Sequence, residues 1–377
     1  MKKNITAKKK PRREEKTRKQ TIQLCGRITI GMDLGDKTSR YCVLDEGGEV
    51  VAEGSTATTK NGMLRAFAPV KRCRIALEVG THSPWVSRLL TKLGHEVIVA
   101  NARQVKLISA SSRKDDRLVA RMLARLARAD PKLLAPVRHR SEEAQADMNL
   151  IRAREALVEG RTRLVNSARG LAKTAGERLP ACDPDQLRAE RMTELPPGLQ
   201  EVLKPLFEMV EALTGKIKEC DRKLEQIARE KYPESKLLQQ VNGVGTLIAL
   251  TFVLTVEDKT RFAKSRDVGC YLGLRPKRSE SGQRQPELRI TKEGDRYLRK
   301  LLVQGAHCVL SQRGPDTDLK RWGLQLSGRG GKNARKRAIV AVARKLAVLL
   351  HHLWVTGEVY EPLRNATGTQ HLKQAAA

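Results

Sequence analysis

Two short apolar runs in residues 27–130 each stop on a carboxylate, and this confines the region to a sheet-based fold. Arg27-Ile-Thr-Ile-Gly-Met-Asp33 and Arg74-Ile-Ala-Leu-Glu78 are too short for buried helices and read as strands. Arg40-Tyr-Cys-Val-Leu44 and Val50-Val-Ala52 read as two more, with Gly47-Gly48 turning between them. Glu96-Val-Ile-Val-Ala100 is a fifth. Ser83-Pro84 opens a helix that Gly94 stops, and Asp116 to Ala129 has helical periodicity through Leu118, Met122 and Leu126. Three antiparallel strands followed by strand–helix–strand–helix is the order of a ribonuclease-H-like fold. The expected class is therefore α/β for residues 27–130 and mainly α for the rest.

Residues 141–231 read as helical. Leu199, Leu203, Leu206, Val210, Leu213, Ile217, Cys220, Leu224 and Ile227 alternate spacings of four and three, the seam of a coiled coil. A first helix over about 142–176 precedes it, and Pro180, Pro184, Pro196 and Pro197 break the chain between them. The pattern fits a helical hairpin or a pair of arms that dimerise. Residues 236–363 form a third region. Its Val241-Asn-Gly-Val-Gly245 enters an apolar helix, either as a helix-hairpin-helix turn facing a phosphate or simply as a tight turn. Residues 1–26 are expected to be a basic disordered arm and 364–377 a disordered tail.

The net charge of +31 on 377 residues calls for a polyanion. Nucleic acid is the expected partner, with an anionic membrane surface as the alternative. No run of 18 apolar residues is present, and the basic N-terminus lacks the apolar core of a signal peptide. Aromatic residues make up 3% of the chain, so phosphate contacts should dominate over base stacking. The seven cysteines form no CxxC pair, which fits reduced thiols in a cytoplasm, and the histidines lack metal-ligand spacing. His351-His352 is expected to pack or face solvent rather than bind zinc.

Two sets of residues carry candidate chemistry. Ser281 lies beside Gly282 among Arg275, Lys277, Arg278 and Arg284, where a hydroxyl can meet a phosphodiester whose charge is offset. Ser279 is its close competitor, and a turn-bonding serine is the plainer reading. Lys332, Arg335, Lys336 and Arg337 follow a glycine hinge into a helix, oppose its dipole and invite an anion. Asp33, Glu78 and Asp116 are the second set. Carboxylates at strand ends can share Mg²⁺, although Asp115 or Asp116 can also serve as a helix cap.

On these residues the chain resembles the IS110 family of insertion-sequence transposases, in the style of its IS1111 branch, over about residues 27–363. Ile30-Gly-Met-Asp33-Leu-Gly is similar to the family's first acidic motif, Leu77-Glu78-Val-Gly-Thr to the second, and Lys114-Asp-Asp116-Arg-Leu-Val119 to the third. Val241-Asn-Gly-Val-Gly245, Tyr271-Leu-Gly-Leu-Arg-Pro276, Ser279-Glu-Ser281-Gly282 and Gly294-Asp-Arg-Tyr-Leu-Arg299 follow in family order. The resemblance implies a RuvC-like domain of the D-E-D-D type, a coiled-coil dimerisation segment and a serine-bearing transposase domain. It implies serine attack on DNA by Ser281, Mg²⁺ held by Asp33, Glu78 and Asp116, a structured guide RNA, a homo-oligomer and a bacterial, nucleoid-associated site of action. One departure stands out: Val119 occupies the place of the family's last aspartate, and valine cannot ligate a metal. The alternatives are a RuvC-like junction nuclease using metal-activated water, or a non-catalytic nucleic-acid-binding protein.

Overall fold

The computed structural model describes residues 28–101, 116–187, 195–279, 281, 286 and 288–364. The basic arm, residues 365–377 of the terminal tail, Asp115, Gly282 and Arg284 lie outside the described residues. The chain divides into two compact units at His139/Arg140. The segments expected at 141–231 and 236–363 both fall in the second.

The first unit is built on one five-stranded sheet. Its strands are β1 (Thr29–Asp33), β2 (Thr38–Leu44), β3 (Val50–Ala57), β4 (Arg74–Glu78) and β5 (Glu96–Ala100), in the spatial order β3-β2-β1-β4-β5. β1–β2 and β2–β3 are antiparallel, while β1–β4 and β4–β5 are parallel. This layout is compatible with the ribonuclease-H-like order expected from sequence. Helices α1 (Lys60–Phe67) and α2 (Ser83–Lys92) cover one face, and α3 (Asp116–Ala129) crosses the other.

Period-two alternation sorts the side chains between these faces. Ile30, Met32, Val43, Ile75 and Leu77 join Met63 and Phe67 of α1 and Val86 and Leu90 of α2 in one buried cluster. Cys42 and Leu44 meet Ala120 and Ala124 of α3 on the other face, and Ala76, Ile98 and Ala100 meet Leu123 and Leu126. α3 lies backbone-to-backbone on β1 at Gly31. A Cβ built there would stand 2.0 Å from the Ala120 carbonyl oxygen and 2.4 Å from the Ala124 nitrogen. That close approach sets the height of the whole helix, including its first residue, Asp116.

In the second unit α4 (Glu142–Thr174) and α5 (Pro197–Lys231) run antiparallel. The direction follows from their pairs: Lys231 with Glu143 and Asp147, Arg154 with Asp221, and Arg161 with Thr214. The seam of α5 is thus met by α4 of the same chain, with Leu203, Val210, Ile217 and Leu224 buried. The proximal ends of this pair share a core with α7 (Thr246–Val256), α9 (Arg296–Val309) and α11 (Ala334–Thr356). Short helices α6 (Glu234–Leu238), α8 (Asp267–Tyr271) and α10 (Asp318–Gly328) complete it.

Among the described residues α11 alone is long and apolar enough to cross a bilayer, yet Ala338, Val342, Leu346, Leu350 and Trp354 bury one face in this core. His351 is buried there too. Its Nδ1 lies 3.0 Å from Ser265 Oγ and its Nε2 lies 3.1 Å from the Lys259 carbonyl, a packing role.

Candidate active site

The acids of the first unit stand at neighbouring strand ends because β1 and β4 run parallel and in register, with Met32 opposite Leu77. Asp33 and Glu78, the next residue of each strand, are both half-buried. Asp116 opens α3, one turn before Ala120, and the Gly31 crossing carries that turn over the end of β1. The Asp33 carboxyl feels the charges of the other two. Burial, then the charge of Asp116, then that of Glu78 push the Asp33 carboxyl up to about 6, against a smaller lowering by the Leu34 amide. They do not close into a ready-made cage: among the described residues no three His, Cys, Asp or Glu side chains converge to metal-binding distance. The donors are all carboxylates and their mutual repulsion would be relieved by a cation, so the set suits a hard divalent ion.

The sign of the Asp33 shift has a consequence for stability. The folded-state carboxyl titrates above its ordinary value of 3.8, so the unit loses stability as pH rises from there through about 6. At pH 7.5 without divalent metal, Asp33→Asn is expected to melt a few degrees above the wild type. At pH 3.5 the two should melt together. A lower melting temperature for Asp33→Asn at pH 7.5 would show that the carboxylate stabilises the fold.

Val119 shares a face of α3 with Asp116, three residues on. It is half-buried against the cluster of Ala76, Ile98, Ala100 and Leu123. The position thus serves packing, where the resemblance implied a ligand.

Ser281 belongs to a different piece of architecture in the second unit. Residues 273–277 and 289–292 pair as a short ribbon: the Lys277 amide donates to the Arg289 carbonyl at 3.0 Å and the Thr291 amide to the Arg275 carbonyl at 2.9 Å. Glycines let its base close. Gly273 (φ +65°) and Gly294 (φ +69°) sit where a Cβ would meet Glu293 N at 2.2 Å and the Tyr271 carbonyl at 2.1 Å. Ser281 lies in the excursion beyond this ribbon and is exposed, as are Ser279, Arg275, Lys277 and Arg278. Among the described residues no base is hydrogen-bonded to either serine hydroxyl.

Sequence reasoning missed the clamp that anchors this ribbon. Asp295 caps α9 by accepting from the Leu298 amide at 2.9 Å, and it also accepts from Arg152 of α4 at 2.6 Å. Arg140 stands 3.6 Å from the same carboxylate. Arg299 donates to the Leu272 and Glu293 carbonyls at 3.0 and 2.6 Å. Gly294-Asp-Arg-Tyr-Leu-Arg299 therefore holds the ribbon in place from one end of α9.

Lys332, Arg335, Lys336 and Arg337 are all exposed at the start of α11. That helix has no acid in its first turn, and Asn333 makes no side-chain cap. The Val241–Gly245 turn is a close backbone crossing, because a Cβ at Gly243 would lie 2.6 Å from the Gly305 carbonyl.

Comparison with known proteins agrees with this layout. Residues 30–175 match a transposase model, that of the DEDD transposases of IS110, and residues 235–320 match the transposase IS116/IS110/IS902 family. A putative transposase y4pF/y4sB of Sinorhizobium fredii is 30% identical, covering 88% of this chain and 85% of its own length. The transposase for insertion sequence element IS1111A of Coxiella burnetii is 29% identical, over 88% of this chain and 90% of its own. A probable family 20 transposase of Pseudomonas aeruginosa is 28% identical, over 88% and 98%. With both family models in order along one chain and a relative 30% identical over 88% of this chain and 85% of its own length, the chain belongs to the IS110 family of transposases.

Proposed function

We propose that this transposase cuts and joins DNA through Ser281, with the acids of a ribonuclease-H-like, RuvC-like unit serving the same reaction. The observation that carries the reading is the repelled carboxylate: Asp33 is forced upward by Asp116 and Glu78 at the ends of two parallel strands. Asp33, Glu78 and Asp116 would hold Mg²⁺, which when bound offsets phosphate charge and lowers the pKa of a coordinated hydroxyl.

Ser281 Oγ would form a bond to phosphorus as the phosphorus–oxygen bond to the deoxyribose breaks. The serine proton leaves to a base and the departing sugar oxygen gains one. Attack on the phosphoserine by another DNA hydroxyl then restores the serine and joins the strands. Arg275, Lys277, Arg278 and Arg284 would steady the phosphate, and Lys332, Arg335, Lys336 and Arg337 would hold the backbone further along. A structured RNA transcribed from the element would guide target choice, and copies would associate through the α4–α5 hairpin. The site of action would be the cytoplasm. The lack of a base beside Ser281 among the described residues favours one second reading, hydrolysis by water activated at the acids.

The test is recombination of DNA flanking the protein's own gene, with its transcripts present. Joined products are expected with Mg²⁺ and should vanish with EDTA or in Asp33→Ala, while DNA binding persists. Undiminished joining in Asp33→Ala would remove the acids from the mechanism.

A further inference from the structure

The ribbon that carries Ser281 has two unlike faces, set by its register. The Pro276–Ile290 bridge is antiparallel, and the Lys277 and Thr291 amides bond on either side of it. Arg275 is therefore opposite Thr291, and Lys277 is opposite Arg289. Residues directly opposite share a face, and successive residues alternate between faces. Pro276 and Ile290 take one face, where Ile290 packs against the buried core of the second unit. Arg275, Lys277 and Arg289 take the other, and all three are exposed.

Lys292 breaks this alternation. One more extended residue would point to the Ile290 side, toward the core. Its φ of +58° is left-handed instead, and Lys292 is exposed. The Lys292 amide still donates to the Gly273 carbonyl at 3.1 Å, and a Cβ at Gly273 would stand 2.7 Å from the Lys292 carbonyl carbon. Left-handed backbone is strained for lysine and open to glycine, so the ammonium is kept outside against a local cost. The paired stretches 273–277 and 289–292 hold four cations, Arg275, Lys277, Arg289 and Lys292, and no acid. Among the described residues none of the four makes an ion pair.

We propose that this basic ribbon seats in the major groove of duplex DNA, with Arg289 and Lys292 on the phosphates that border the groove. Paired strands lie about 4.8 Å apart, and a groove about 12 Å wide admits a two-stranded ribbon. The major groove of duplex RNA is too deep and narrow for side chains to read. This rests on the DNA-acting reading above and deepens it. It names the form of DNA that the ribbon takes, and it adds Arg289 and Lys292 to the residues that hold it. Both touch DNA and neither takes part in bond making.

The experiment uses the full chain and a duplex of the DNA flanking its gene. A second duplex carries glucosylated hydroxymethylcytosine in place of cytosine, which fills the major groove without changing the charge. Duplex RNA of the same sequence is the third. Amide hydrogen exchange of residues 273–277 and 289–292, binding against salt and melting are read in wild type, Lys292→Gly, Arg289→Ala and the double variant. Plain duplex DNA should slow exchange in the ribbon, and the other two duplexes should not. Each single variant should lower the log–log salt slope by about 1 and the double variant by about 2, one for each phosphate contact. Lys292→Gly should melt no lower than wild type, because glycine adopts the left-handed backbone freely, so its weaker binding is not a loss of fold. Ribbon protection that survives glucosylation, or a wild-type salt slope in the double variant, overturns the proposal while leaving the DNA reading intact. Ribbon protection by duplex RNA overturns the choice of DNA. Absence of salt-dependent DNA binding in the wild type overturns the broader reading instead.

Discussion

Gly31→Val is expected to unfold the sheet-bearing unit at room temperature. A Cβ at this position would stand 2.0 Å from the Ala120 carbonyl oxygen, 2.4 Å from the Ala124 nitrogen and 3.0 Å from its Cα, all backbone atoms. No rotamer change relieves a clash with backbone, so α3 would have to lift off β1. That would open the contacts of Cys42 and Leu44 with Ala120 and Ala124, every one of them almost wholly buried. Overpacking of a core costs about 1–3 kcal/mol where side chains can yield, and more where they cannot. A few kcal/mol is a large share of the stability of one domain. Gly31→Ala should destabilise in the same direction. Gly80→Ala is the control, because nothing lies within 4 Å of a Cβ there. Chemical denaturation followed by circular dichroism measures all three. A Gly31→Val protein as stable as Gly80→Ala would contradict the backbone crossing and, with it, the placement of Asp116 over β1.

The strands that carry Asp33 and Glu78 were legible because a short apolar run ending in an acid leaves few alternatives. Other features were not legible, for physical reasons. β3 runs through Ala57, beyond the Val50–Ala52 run visible in the sequence. It is an edge strand whose Glu53, Gly54 and Ser55 blur the alternation. Helix α1 is eight residues long and starts at Thr59-Lys-Asn-Gly62, a string that reads as a turn; the Thr59 hydroxyl accepts from the Gly62 amide and caps it. The heptad seam of α5 announced a partner helix without saying which. The antiparallel α4 meets it through pairs such as Arg154–Asp221, 67 residues apart, which no local pattern reveals. The Asp295 clamp has the same difficulty, since Arg152 lies 143 residues earlier. In the acidic set, Val119 was visible as a missing ligand, whereas its packing against Ala76 and Ile98 emerged only from the fold. The Arg40 register opposite Asp33 depended on where the β1–β2 turn closes, which the sequence alone left open.

Ser281→Ala is expected to abolish strand joining while leaving DNA binding near the wild-type level. The hydroxyl is exposed beyond a ribbon pinned by Gly273, Gly294 and the Asp295–Arg152 bond, so its loss removes no buried contact and should not disturb folding. A nucleophile that forms the covalent intermediate cannot be bypassed by tighter binding, so turnover should fall below detection. Ser279→Ala, equally exposed and two residues earlier, should retain most of the activity.

The most direct measurement is to stop the reaction in denaturant, resolve DNA-linked protein on a gel and map the modified peptide by mass spectrometry. The expected result is one adduct, on Ser281, present in wild type and Ser279→Ala and absent in Ser281→Ala. An adduct that persists in Ser281→Ala, or joined products formed with no adduct in the wild type, would contradict the serine mechanism.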